Sequence, residues 1–326
     1  MRNAFIFILI GLILLATNAL FAQDEETIKV DTTLITLGVS VRDTDGKYVK
    51  GLKKVQFQLL DDNKEQEISI FSMEETPISF GIVYDLHPTT SDRTKTILKS
   101  LEDFTKGLRD RDRFNITVFN ENGSFTTDFI PTLEQVDKHL ASKIKGKPNS
   151  LYDAIFLTSE KLQEQTNEKK ALLIISDGND HFSHHSYKSL RKKVNSFNVQ
   201  IYAVILNDKE EWGFADINSE NEPKIIDLED SKLGQAAIEK LSSRSGGYAE
   251  SQRFRNSANL SEIFKRINIE MQNQYLLGFY PQEIDDRKHD LNISIVREEK
   301  DKKLKLDYRK KYKPDVRIKI AKQKQK

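Results

Sequence analysis

Two aspartates, Asp85 and Asp177, each close an unbroken apolar run, in "ISFGIVYD" and "ALLIISD". A run of that kind reads as a strand covered on both faces, and its last residue stands where a buried sheet meets solvent. Two such strands in one sheet bring two carboxylates to the same edge, the edge at which open α/β sheets bind ligands. Further oxygen donors stand near them. Thr89 and Thr90 follow Asp85 within five positions, and Asn149 and Ser150 open a helical segment ahead of the second run. A carboxylate, spaced hydroxyls, a polar loop residue and a second carboxylate form an all-oxygen set of low charge. Such a set suits a hard cation, Mg2+ or Mn2+, that keeps some of its waters. The competing reading is a site without a cation, with Asp85 hydrogen-bonded to backbone amides and helix N-termini.

Other chemistries have less support. His181, His184 and His185 lie within five residues just after Asp177 and could gather a transition metal, but a polar loop after a strand often collects such residues. Covalent catalysis lacks its parts. The chain has no cysteine, no Gly-x-Ser-x-Gly elbow and no Gly-x4-Gly-Lys-Ser/Thr phosphate loop, and Ser176 has no evident base beside it. A protein that is not an enzyme is expected.

The elements that must position these residues fall into three segments. Residues 31 to 43 alternate apolar and polar side chains, as do "VQFQLLDD" and "EQEISIFS", with turns at Asp43 to Gly46 and Asp61 to Asn63. They predict a small β segment over 23–76. Over 77–256, continuous apolar strands alternate with helical spacing: Ile97, Leu101, Phe104 and Leu108, then Leu133, Val136, Leu140 and Ile144, then Leu151, Ile155 and Leu162. This rhythm predicts a doubly wound, mainly parallel sheet with helices on both faces. "QYLLGFYP", "HDLNISIVR" and "KLKLDYRKKY" restore β character over 257–316, after a linking helix. Each flanking segment is too small to stand alone, so the two are expected to pair into one accessory β module.

The order "GIVYD…T", "NSLYDAI" and "ALLIISDGND" resembles the von Willebrand factor type A (VWFA) domain. "VRDTDGKYVKGLKKVQFQLLDDNKEQEISIFS" before the domain and "QYLLGFYP…LDYRKKY" after it resemble the bacterial secreted VWFA-related family. The resemblance implies a protein-binding function through a metal-ion-dependent adhesion site, whose cation a partner's carboxylate completes. By position it matches Asp85 to the first aspartate, Thr89 to the second serine and Asp177 to the aspartate of the last loop. His87 takes the place of the first serine, and Asn149, with Ser150 beside it, the place of the threonine. Imidazole is a poor ligand for Mg2+ and suits Mn2+, Zn2+ or Ni2+ better. The alternative is a metal-independent interaction or assembly scaffold on the same fold.

Arg2, the apolar run Ala4 to Ala16 and the small residues up to Ala22 predict a secretory signal over 1–22; an uncleaved anchor is the alternative, although the run falls short of the ~20 residues a span needs. An exported chain without cysteine fits a bacterial periplasm, cell surface or exterior. Formal net charge is +1, and no nucleic-acid partner is expected. The last thirty residues hold 14 Lys or Arg against 5 Asp or Glu, ending in the basic tail 317–326. That tail could touch an anionic envelope surface or simply be solvated.

Overall fold

The computed structural model describes residues 34–73, 76–86, 91–120, 122–130, 144–145, 151–180, 182–207, 226–253, 258–285, 287–296 and 303–314. The signal over 1–22, the expected helix from Leu133 through Leu140 and the tail over 317–326 lie outside the described residues; Ile144, expected at the end of that helix, is not helical but buried in the core, where Lys145 bridges to Ser124. Strands β1 (Ile35–Arg42), β2 (Phe57–Asp61), β3 (Lys64–Glu65) and β4 (Ile70–Ser72) come first. Then follow β5 (Ile78–Asp85), α1 (Ser91–Lys106), β6 (Arg113–Asn120), β7 (Gly123–Thr126), α2 (Leu151–Gln163), β8 (Lys169–Ser176), α3 (Tyr187–Ser196) and β9 (Gln200–Asn207). The chain continues through α4 (Ile226–Ser245), β10 (Ala249–Arg253), α5 (Ala258–Gln272), β11 (Tyr275–Phe279), β12 (His289–Ile295), β13 (Lys305–Asp307) and β14 (Lys311–Tyr312).

Six strands form one sheet in the order β10-β9-β8-β5-β6-β7. All neighbours are parallel except the hairpin strand β7, which runs antiparallel to β6. Counted along the chain from β5, this is the doubly wound order 3-2-1-4-5-6, whose switch point falls between the first and fourth strands, β5 and β8. β5 is buried along its whole length because helices cover both faces. Phe80, Ile82 and Tyr84 point to the layer of α1 and α5, where they meet Ile97, Leu101, Phe104 and Phe264. Val83 points the other way, with Leu172 and Ile174, into a layer made by α2, α3 and α4. Gly81 lies on this second face, where a Cβ would stand 2.5 Å from Thr158 Cγ2, so its lack of a side chain lets α2 pack close. Sealing each Leu- or Phe-sized side chain in these layers contributes about 1.5–3 kcal/mol.

The flanking segments interleave into two antiparallel sheets, β13-β1-β11-β4 and β14-β12-β2-β3. β1 from the front of the chain pairs with β11 from the back, with Leu37 opposite Leu277, and β2 pairs with β12, with Leu59 opposite Ile293. Leu37, Val39, Phe57, Leu59, Tyr275, Leu277 and Tyr312 fill the core between the sheets. Two strand expectations change. "EQEISIFS" is extended only as β3 and β4, because Gln66 to Ser69 carry the chain from one sheet to the other. "KLKLDYRKKY" divides into β13 and β14, which also belong to different sheets. At that corner Arg309 is buried and donates from Nε to Lys311 O and from Nη1 to Phe197 O, which ties the crossing to the α/β domain.

The outer face of β1 also packs on the α/β domain. Glu270 of α5, only 3% exposed on its side chain, accepts from Ser40 Oγ at 3.1 Å and pairs with Arg42 at 3.5 Å. Lys169 donates from Nζ to Gln274 O and Met271 O, carbonyls at the end of α5. A cation there completes the last turn and favours the helix dipole.

Candidate functional site

Asp85 and Ser176 close the two strands that flank the switch point. Asp85 is 9% exposed, Ser176 is fully buried, and Ser176 Oγ donates to Asp85 Oδ2 at 3.0 Å. The same hydroxyl accepts from Gly178 N at 3.1 Å, so one side chain fixes both the first aspartate and the turn after β8. A neighbouring hydroxyl is thus one of the donors that hold Asp85. Asp177 organises its own loop: Oδ1 accepts from Asn179 N at 2.9 Å and Oδ2 from Asn179 Nδ2 at 2.8 Å.

That turn requires glycine. Gly178 has φ of +92°, and a Cβ there would stand 2.8 Å from Gln235 N of α4. Its carbonyl faces Gly234 so closely that a Cβ on Gly234 would collide with Gly178 O. Gln235 Nε2 also donates to Asp177 O at 3.3 Å. The loop bearing Asp177 is therefore seated directly on the backbone of α4.

The start of α2 reaches the same edge and is capped by residues about thirty positions away. Tyr152 N donates to Asp180 Oδ1 at 3.1 Å and Asp153 N to Ser183 Oγ at 3.1 Å, and Ser183 Oγ donates to Asp180 Oδ1 at 2.6 Å. These bonds satisfy amides that the first helical turn leaves without partners. Asp153 in turn accepts from His184 N and His185 N, and both Nδ1 atoms approach its carboxylate, at 3.0 and 2.6 Å. Burial raises the Asp153 pKa, but the backbone and ring bonds from His184 and then His185 outweigh it and hold the carboxyl below its usual value. The His185 ring stacks on Phe156 at 3.9 Å. Two of the three loop histidines thus clamp a helix end; His181 lies outside the described residues.

Of the six proposed metal ligands, the structure brings Asp85 and Asp177 to one edge, while His87, Thr89, Asn149 and Ser150 lie outside the described residues. Asn149 and Ser150 immediately precede Leu151, the first residue of α2. The two described ligands are both carboxylates with part of their capacity held by neutral protein donors, which orients them without neutralising them. Ligating carboxylates are commonly hydrogen-bonded in this way, so the described half fits a hard cation such as Mg2+ or Mn2+. The sequence reading missed Ser176, Asp153 and Gly234 as site-forming residues. Only "SDGND", a hydroxyl beside an Asx-turn pattern with glycine inside it, carries a local signal for the first of these.

No protein-family model matches the sequence, and no curated protein matches it. Among solved structures, an aerotolerance-related membrane protein from Bacteroides fragilis, bearing multiple mutations to serine, is 17% identical. Its match covers 60% of this chain and 98% of that one, with a TM-score of 0.44. The ArnB paralog VWA2 from Sulfolobus acidocaldarius is 14% identical, covering 87% of this chain and 78% of that one at a TM-score of 0.41. The pilus adhesin SpaC from Lactobacillus rhamnosus GG is 9% identical, covering 73% and 35% at 0.45. At these scores the likenesses carry no inference about ligand or activity. Among the described residues no helix is long and apolar enough to cross a membrane.

Proposed function

We propose that this protein, whose larger domain is von Willebrand factor A-like, is an exported binding protein that docks a protein partner on the edge formed by Asp85, the 177–180 loop and the start of α2. The observation that carries the reading is the joining of the two strand-end residues at the switch point by Ser176. The sheet edge at that point is the usual place for a ligand in this topology.

In the metal-dependent form, Asp85, Asp177, Thr89 and Asn149 or Ser150 would hold Mg2+ or Mn2+, with His87 able to shift the preference toward softer ions. The bound cation would supply a coordination position for an acidic side chain of the partner. The chain's own residues orient the carboxylates through Ser176 and Asn179 and carry specificity on the surrounding loops. The role is recognition, without a catalytic group. A second, metal-independent reading is favoured by the two bonds from Asn179 to Asp177, which already give both of its oxygens protein donors.

Calorimetric titration of Mg2+, Mn2+ and Ni2+ into the purified protein and its Asp85→Ala variant separates the two. Saturable binding that disappears in the variant supports the cation-dependent form. No Mg2+ or Mn2+ binding in either chain removes the cation and leaves the loops as the docking surface.

A further inference from the structure

The β module contains a second group of ligand-type atoms, far along the chain from the first. Asp61 Oδ1, Asp62 Oδ2 and His289 Nδ1 all lie within 4.8 Å of one another. His289 Nδ1 stands 3.3 Å from Asp61 Oδ1 and 3.2 Å from Asp62 Oδ2. Asp61 Oδ1 is buried with only the His289 ring beside it, and Asp62 Oδ2 is buried against His289 and the guanidinium of Arg287. Asp61 as a whole is only 5% exposed. An acceptor oxygen buried in that state carries a desolvation cost that a cation would remove.

The remaining atom of each of these groups is already held. Tyr312 OH donates to Asp61 Oδ2 at 2.7 Å, and Asp290 N donates to Asp62 Oδ1 at 2.9 Å. His289 Nε2 lies 3.2 Å from Asp285 Oδ1, and the ring stacks on Tyr312. With the proton on Nε2 directed at Asp285, Nδ1 presents its lone pair to the two carboxylates. This is the outer-shell pattern that fixes ligand orientation in metal sites: a carboxylate behind the histidine and hydrogen bonds behind the acidic ligands. Ligand atoms around a tetrahedral Zn2+ stand about 3.3–3.6 Å apart, given bonds of about 2.0–2.2 Å, and the two histidine separations are close to that edge length. One imidazole with two carboxylates suits a borderline ion better than Mg2+ or Ca2+. Asp62, 25% exposed on its side chain, is the member of the group nearest solvent. Arg287 is the competing cation, with Nη1 3.0 Å from Asp62 Oδ2, but it also pairs with Asp285 and Glu283 and would keep those partners when an ion enters.

We propose that Asp61, Asp62 and His289 bind one Zn2+, which staples the β2–β3 turn to β12 and so joins the two ends of the chain in the β module. The chain has no cysteine, so an ion is the available covalent-like tie across that junction.

The test is calorimetric titration of Zn2+ into chelator-stripped protein, with Co2+ absorption as a second readout. Asp85→Ala removes the strand-edge ligand, and Asp62→Asn keeps the turn, since Asn tolerates the left-handed backbone at that position. The expected result is one Zn2+ per chain, unchanged by Asp85→Ala and lost in both Asp62→Asn and His289→Gln. Asp285→Asn, which removes only the outer-shell charge, should weaken binding roughly 10- to 100-fold. Tetrahedral Co2+ bands should appear in the parent chain and in Asp85→Ala and be lost in Asp62→Asn and His289→Gln. Absence of saturable Zn2+ binding, or binding that survives in Asp62→Asn with its circular dichroism unchanged, overturns the proposal and leaves an ion-pair network.

Discussion

Ser176→Ala removes a side chain that joins the two strand ends. In the parent chain its buried hydroxyl donates to Asp85 Oδ2 at 3.0 Å and accepts from Gly178 N at 3.1 Å. A hydrogen bond to a charged group is worth about 1.5–3 kcal/mol, and a buried amide left without a partner costs about 1–3 kcal/mol. The two losses overlap, because water can follow the deleted oxygen, so the expected destabilisation is about 3 kcal/mol, roughly a hundredfold in the folding equilibrium. With a urea slope of about 1–3 kcal/mol per molar, the unfolding midpoint should fall by roughly 1 M or more. Hydrogen exchange at residues 177–179 should accelerate in parallel, since Gly178 N loses its acceptor. Asp85→Asn gives the internal comparison: its amide oxygen still accepts from Ser176, so it should cost only about 1 kcal/mol. An unchanged midpoint and unchanged exchange in Ser176→Ala would refute the claim that this hydroxyl builds the site. An Asp85→Asn variant weaker than Ser176→Ala would show that the carboxylate charge, and not the bridge, organises the edge.

Three other perturbations follow from the geometry. Gly234→Ala, which in a free helix interior would stabilise by about 1 kcal/mol, should instead destabilise by urea unfolding, because the new Cβ would collide with Gly178 O. Lys169 has its pKa lowered to about 8 by burial, with Arg109 adding to it, so the native state releases its proton before the unfolded chain does. Stability should therefore rise from about pH 8 to about pH 10.5, by up to about 3 kcal/mol, and Lys169→Met should abolish that rise in urea melts taken across the range. At the seam, Glu270 has its pKa raised chiefly by burial, so Glu270→Gln should cost about 1 kcal/mol or less at neutral pH, whereas Arg42→Met, which leaves the buried carboxylate with Ser40 but without its paired cation, should cost more than Glu270→Gln in urea melts.

The central sheet was legible because its strands have no solvent face. β5, β8 and β9 are continuous apolar runs, and covering both faces leaves such a run no alternative that exposes less. The helices announced themselves by spacing, as with Ile97, Leu101 and Phe104, which meet β5 in one layer. The pairing of the two flanking segments followed from their size alone. Their corners did not, because each depends on a contact made elsewhere. "KLKLDYRKKY" reads as one strand until Arg309 is seen donating to Phe197 O, more than a hundred residues away in sequence, at the corner between β13 and β14.

The site divides along the same line. Asp85 and Asp177 could be placed because a strand's end is a property of the strand. Ser176 sits in the same quoted run, yet its role depends on β8 lying beside β5, which periodicity cannot specify. The loop histidines are close in sequence, and their spacing does not show what they do: Asp153 holds both His184 and His185 Nδ1 atoms at the start of α2. Asp61 and Asp62 look like turn residues, and their backbone does form a turn, with Asp62 and Asn63 at positive φ. His289 meets them only because β2 and β12 pair across the whole length of the domain between them. Sequence separation therefore hid this cluster. Ligand atoms converge when separate elements aim their side chains at one point and outer hydrogen bonds hold the remaining atoms aside, a condition met at Asp61, Asp62 and His289.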